Sequence, residues 1–142
     1  MITDYIDKII NGNCVDVMKQ LPDNSIDLVV TSPPYDNLRT YKGYTFPFED
    51  IVAQLYRIIK EGGVVVWVVS DATVNGSETC TSFRQALTFV AKGFKLHDTM
   101  IFQKTNPVPQ IYRKRYTNVF EYMFVFSKGN VATHNPIKVP CL

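Results

Sequence analysis

The chain has 142 residues, of which 46% are hydrophobic and 20% charged, and its formal net charge is +2. This length suits one domain over 1–142 with a modest core, and no apolar run approaches the roughly 20 residues that would span a bilayer. The N-terminus lacks the features of a signal peptide, and the three cysteines match no zinc spacing, so free thiols in a reducing, cytoplasmic compartment are expected.

The first predicted elements alternate between strand and helix. The segment "DKIING" (7–12) is predicted to be a short strand, and "VDVMKQL" (15–21) a short helix. The next segment, "IDLVVT" (26–31), is rich in β-branched residues, which is typical of a strand buried on both faces of a parallel sheet.

After a loop with three prolines over 33–47, the segment "FEDIVAQLYRIIK" (48–60) predicts an amphipathic helix. Glycine accepts the left-handed conformation that commonly ends helices, so Gly62 is predicted to cap this one. The apolar face of the helix would be formed by Phe48, Ile51, Val52, Leu55, Ile58 and Ile59.

The second half of the chain continues the alternation. The segments 64–70, 95–102 and 119–129 are predicted strands, the last with its exit turn, whereas 79–93 is a predicted helix and 106–118 a loop. Strands that alternate with helices predict an α/β sheet with helices on both faces.

Polar residues follow two of the predicted strands. Ligands of such sheets bind at the carboxyl ends of the strands, so Thr31 and the Ser-Pro-Pro-Tyr stretch (32–35) should share an edge with Ser70 and Asp71. Proline has no N–H and forces the preceding residue into an extended conformation. Two acceptors and an aromatic ring could therefore converge on a planar group that carries an NH2, although Pro-Pro also occurs in rigid turns without any ligand.

The stretch Ser32-Pro33-Pro34-Tyr35 resembles the catalytic motif of the DNA amino-methyltransferases, which methylate N6 of adenine or N4 of cytosine. Three longer segments are also similar to that family: "NGNCVDVMKQLPDNSIDLVVTSPPY", "LYRIIKEGGVVVWVVSD" and "RKRYTNVFEYMFVFSKG". The resemblance spans 7–129. It implies a Rossmann-like methyltransferase sheet, S-adenosyl-L-methionine as cofactor, and double-stranded DNA as partner, with the target base flipped out of the duplex.

The resemblance also implies roles for single residues. The Ser32 hydroxyl and the Pro33 carbonyl would bind the exocyclic amine, and Pro34 and Tyr35 complete the catalytic motif, with Tyr35 stacking on the base. The implied cofactor contacts are Asn13, where the family usually has Asp, together with Cys14, Thr31 and Asp71. The carboxylate of Asp71 could equally cap a helix.

The C-terminal third of the chain is basic. Residues 1–98 carry nine Lys and Arg against twelve Asp and Glu, whereas residues 99–142 carry six against one. This asymmetry favours a polyanionic partner, although a solvated charged hairpin would explain it as well. The DNA contacts that we predict here are Lys104, Arg113, Lys114, Arg115, Tyr116 and Asn118.

One family feature is missing from the sequence. Methyltransferases of this kind carry a Phe-x-Gly-x-Gly cofactor loop on the strand beside 26–31, and this chain contains no such loop. The chain could be part of a longer enzyme, a split half completed by a second chain or homo-oligomer, or a remnant that binds DNA without catalysis. An RNA or protein-glutamine methyltransferase is a further alternative. The sequence leaves open whether the target is cytosine N4 or adenine N6.

Overall fold

A computed structural model describes residues 2–34, 46–109, 114–136 and 138. No helix in these ranges is both long enough and apolar enough to cross a bilayer. The elements are a 3-10 helix (Ile2–Tyr5), α1 (Cys14–Gln20), β1 (Ile26–Thr31), α2 (Phe48–Ile58), β2 (Ile59–Val69), β3 (Thr73–Val74), β4 (Ser77–Glu78), α3 (Thr81–Ala91), β5 (Lys95–Gln103) and β6 (Phe120–Ser127).

The main sheet has four strands in the order β1-β2-β6-β5. Strands β1 and β2 are parallel, whereas β6 runs antiparallel to both of its neighbours, β2 and β5. It follows that β1, β2 and β5 all run in one direction and end at the same edge of the sheet, where β6 begins. The predicted α/β architecture is confirmed, and this edge is where ligands of such sheets bind.

One hydrophobic core joins all three helices to a single face of the sheet. Trp67 of β2, Phe89 of α3 and Phe126 of β6 are almost completely buried in it, and α1 and α2 contribute Val15 and Val52. Because the helices of the described segments all pack on this face, a helical layer on the opposite face stays a prediction.

The strand β1 is less buried than its composition predicts. On the sheet face away from the helices, Leu28 is 56% and Val30 64% exposed, whereas Val29, on the helical face, packs against the core. The expectation that this strand is buried on both faces is therefore wrong for the described part of the chain, because the three helices all cover the other face.

The predicted strand at 7–12 is absent. These residues form no sheet pairing, and the side chain of Ile9 is fully exposed. An extended segment becomes a strand only when a neighbour satisfies its backbone hydrogen bonds. The described residues include no strand beside this one, although the sequence pattern itself is suited to a strand.

The glycine cap predicted for α2 is also wrong. The helix ends at Ile58, and Ile59 is already extended and begins β2. Gly62 has a positive φ of 81° but lies inside β2, where its N–H donates to the Lys128 carbonyl at 2.7 Å. A side chain on Gly63 would approach the Asp27 carbonyl to 2.9 Å. The two glycines therefore allow the close approach of neighbouring segments rather than ending the helix.

Candidate functional site at the carboxyl edge of the sheet

Ser32 follows β1 directly and lies at the carboxyl edge of the sheet. Its side chain is exposed, Thr31 and Pro34 are half-buried, and Pro33 is buried. The buried Pro33 ring, with its fixed φ, anchors the corner after the strand, while the serine remains accessible from solvent. Tyr35, the predicted stacking ring, lies outside the described residues.

Asp71 follows β2 and caps the next helix. Its carboxylate accepts a hydrogen bond from the Ser82 backbone N–H at 3.0 Å and another, short one from the Ser82 hydroxyl. The residue before α3, Cys80, has a left-handed backbone and no capping side chain of its own. Asp71 therefore satisfies helix donors that would otherwise have no partner. This is the capping role that the sequence left open, and a contact with the cofactor stays a prediction.

Replacing Asp71 with alanine is expected to lower the free energy of unfolding by about 1–2 kcal/mol, which is the usual cost of losing an N-terminal cap. Asp71→Asn should lose less, because its amide oxygen can still accept from the Ser82 N–H. Urea denaturation measures both effects. The matched control is Asp98→Ala, an exposed aspartate of β5, for which we expect a change within about 0.5 kcal/mol. Equal losses for Asp71→Ala and Asp98→Ala would contradict the capping role.

A cleft of about 670 Å³ opens between the ends of β2 and β5 and the start of β6. It brings together three of the residues predicted from the sequence, Asp71, Lys104 and Asn118. The ammonium group of Lys104 lies 3.2 Å from a carboxylate oxygen of Glu121 and 3.4 Å from the amide oxygen of Asn118. The cleft is lined by Ser70, Asp71, Phe102, Gln103, Lys104, Thr105, Asn106, Pro107, Val108, Asn118 and Glu121.

Glu121 is a cleft residue that the sequence reasoning missed. It pairs with Phe102 across the β5–β6 ladder, and its side chain is only 16% exposed. It is the only acidic residue in the basic C-terminal third, and this isolation was a usable signal. The ion pair with Lys104 makes that lysine part of the cleft wall.

The described part of the basic loop places its side chains in different environments. Tyr116 is fully exposed and Lys114 is exposed, whereas the Arg115 side chain is only 28% exposed. The guanidinium of Arg115 donates to the Gly76 carbonyl and lies 3.5 Å from a carboxylate oxygen of Glu78. The predicted contact Arg113 lies outside the described residues.

Asn13 and Cys14 lie at the start of α1. The side-chain oxygen of Asn13 accepts the Val15 N–H at 2.9 Å, so this residue is the N-cap, and Cys14 is the exposed first residue of the helix. No hydrogen bond or ion pair links either residue to the cleft within the segments that the structure describes. Their predicted role in cofactor binding stays a prediction.

Comparisons with known proteins give one consistent result. A family model described as DNA methylase matches residues 26–141. The orphan methyltransferase M.BamHII of Bacillus amyloliquefaciens is 58% identical over 118 residues, which are 82% of this chain and 44% of that protein. The chain therefore spans less than half the length of this relative.

Solved structures share the fold at lower identity. The PvuII DNA methyltransferase (cytosine-N4-specific) superposes with a TM-score of 0.69 at 21% identity, over 84% of this chain and 48% of that one. A DNA modification methylase of Thermus thermophilus, in complex with S-adenosyl-L-methionine, gives 0.67 at 23% identity, over 89% and 57%. The Rossmann-like architecture predicted from the motifs is confirmed.

Proposed function

Because the chain belongs to the DNA methylase family, we propose that it forms the part of an S-adenosyl-L-methionine-dependent DNA methyltransferase that holds the target amine. The observation that carries the proposal is the position of Ser32, exposed at the carboxyl end of β1 beside the buried Pro33. The substrate would be the exocyclic amine of a flipped cytosine (N4) or adenine (N6) in double-stranded DNA. A modification enzyme in a cytoplasmic restriction–modification system is the corresponding cellular role.

The chemistry of the corner follows from its two acceptors. The nitrogen of an exocyclic amine shares its lone pair with the aromatic ring and is a poor nucleophile. The Ser32 hydroxyl and the Pro33 carbonyl would accept its two N–H groups, which draws the nitrogen toward a tetrahedral geometry and directs its lone pair out of the ring plane. Catalysis by these residues is therefore positioning and electrostatic stabilisation, without a covalent enzyme intermediate.

The described residues fit only part of a cofactor site. S-adenosyl-L-methionine supplies the methyl group when it is bound. Of its predicted contacts, the Asn13 oxygen already accepts a backbone N–H and the Asp71 carboxylate already caps α3, so each has only its remaining lone pairs to offer. The sequence also contains no Phe-x-Gly-x-Gly loop. We therefore propose that a complementing segment or chain, paired with the open edge of β1, supplies the rest of this site.

On the DNA side, the cleft and the basic loop would act together. Lys104 and Asn118 would form a wall for the flipped base, because both line the cleft and Lys104 is held there by Glu121. Lys114 and Tyr116 would meet the DNA backbone, since both are exposed and Lys114 has no ion pair within the described ranges. Arg113 belongs to the same predicted contact by its place in the sequence.

A chimera tests the proposal. The chain replaces the matching segment of M.BamHII, and methyl transfer to duplex DNA is then measured with labelled cofactor. Activity, together with nucleoside analysis of the product, would support the assignment and identify the methylated base. An inactive but folded chimera that still binds DNA would contradict catalysis and favour the non-catalytic alternative, a DNA-binding remnant, for which the missing glycine loop is the supporting observation.

The isolated chain is expected to bind S-adenosyl-L-methionine at least tenfold more weakly than the chimera and to methylate DNA poorly or not at all. The reason is that half of the predicted contacts already have partners and the glycine loop is missing. Isothermal titration calorimetry of the two proteins in the same buffer measures the difference. Equal affinity of both proteins, or sustained methylation by the isolated chain, would show that no complementing part is needed.

A further inference from the structure

A short hairpin connects the end of β2 to α3. Strands β3 and β4 pair Thr73 with Glu78 and Val74 with Ser77. The turn between them is Asn75-Gly76, with φ values of 50° and 81°, which is the residue pair and the conformation that favour a tight two-residue hairpin. The hairpin is therefore specified locally by its own sequence.

The base of this hairpin is fixed to the sheet edge. The Thr79 N–H donates to the Ala72 carbonyl at 3.0 Å, and the Thr79 hydroxyl lies 3.4 Å from the Asp71 carboxylate. The same carboxylate caps α3 through Ser82. The hairpin thus projects from a point that is tied both to the end of β2 and to the first turn of α3.

The tip of the hairpin holds the basic loop. Arg115 reaches it with two groups of its guanidinium: one donates to the Gly76 carbonyl, and the other pairs with Glu78 at 3.5 Å. The preceding residue, Lys114, has a positive φ of 50°, an uncommon conformation for a lysine. The contact with the hairpin therefore anchors a loop whose backbone would not favour this shape by itself.

We propose that the β3–β4 hairpin is a brace for the DNA-contact loop and that Arg115 is a positioning residue rather than a phosphate ligand. Bracing through Glu78 and Gly76 leaves Lys114 and Tyr116 facing outward, where they can meet the duplex. This inference rests on the proposed function, because the loop is braced for DNA only if the chain binds DNA.

The brace predicts an effect opposite to that of simple electrostatics. Glu78 is a negative charge beside a proposed DNA-binding surface, so its removal should by charge alone tighten DNA binding. If Glu78 positions the loop, its removal should instead weaken binding. The sign of the change therefore separates the two explanations, even though an exposed ion pair contributes only a small effect.

The test uses the 142-residue chain with Glu78→Gln, and two readouts. Cleavage after Lys114 and Arg115 is followed during brief trypsin digestion, and affinity for a fluorescent duplex is measured at several salt concentrations. We expect cleavage to become two- to fivefold faster and affinity two- to fivefold weaker, with an unchanged salt slope. Glu49→Gln, which removes an acid from the first turn of α2, is the matched control and should change neither readout.

Two further variants sharpen the result. Arg115→Lys keeps the charge but loses the planar fork, so it should behave like Glu78→Gln, whereas a simple phosphate contact would tolerate it. Lys114→Ala should instead reduce the salt slope by about one. Tighter DNA binding by Glu78→Gln with unchanged cleavage would overturn the brace. Faster cleavage in a chain that does not bind DNA at all would overturn the DNA role while supporting the bracing contact.

Discussion

Ser32→Ala is expected to lower kcat/KM for DNA methylation by about 10²–10³-fold in the M.BamHII chimera. The substitution removes one of the two acceptors proposed for the target amine, and the loss of one preorganised polar group at a reacting centre has effects of this size. The interaction strengthens as the nitrogen becomes tetrahedral, so the loss should fall mainly on kcat. Radiolabelled methyl transfer under single-turnover conditions measures it.

The control for this substitution is another serine beside the same strand. Ser25 lies just before β1, at its opposite end, and its hydroxyl donates to the Pro22 carbonyl in a turn. Ser25→Ala should leave methylation within about twofold of the parent chimera. Cofactor affinity should be unchanged in both variants, which excludes a folding defect at the sheet edge. Equal activity of Ser32→Ala and the parent would remove the amine-binding role of this corner.

The parts of the fold that could be predicted from the sequence are those specified by local pattern. The spacing of Ile51, Val52 and Leu55 predicted one face of α2, and these side chains are buried there. The end of the same helix was predicted wrongly, because Ile59 suits a helix and a strand equally well and the glycines that follow serve close packing. Whether β2 begins at Ile59 depends on its pairing with β1, which lies far away in the sequence.

The site shows the same division. Asp71, Lys104 and Asn118 were predicted because each flanks a strand, and the direction of the strands brings them to one edge. The contact between Arg115 and the Gly76 carbonyl joins residues 39 positions apart in two irregular segments, and no period in the sequence marks it. Contacts of this kind are set by the tertiary arrangement, and only the coordinates show them.

Phe89→Ala is expected to lower the free energy of unfolding by about 3–5 kcal/mol, the usual cost of removing a buried aromatic side chain. The Phe89 side chain is completely buried on α3, where its ring stacks on Phe126 at 4.2 Å and meets Trp67 edge-on at 5.0 Å. Its loss leaves a cavity between α3 and the sheet that no neighbour is placed to fill. Urea denaturation followed by tryptophan fluorescence measures the change, since Trp67 is the single tryptophan.

The matched control is Phe83→Ala on the same helix. Phe83 is 47% exposed and meets one ring, Tyr122, at 5.4 Å, so we expect a loss of about 1 kcal/mol or less. Should Phe89→Ala fail to fold, Phe89→Leu keeps most of the volume and should lose roughly 1–2 kcal/mol. Because α3 also presents Ser82 to Asp71, Phe89 variants should loosen the edge that carries the cleft. Equal losses at Phe83 and Phe89 would mean that the core does not hold α3 on the sheet as described.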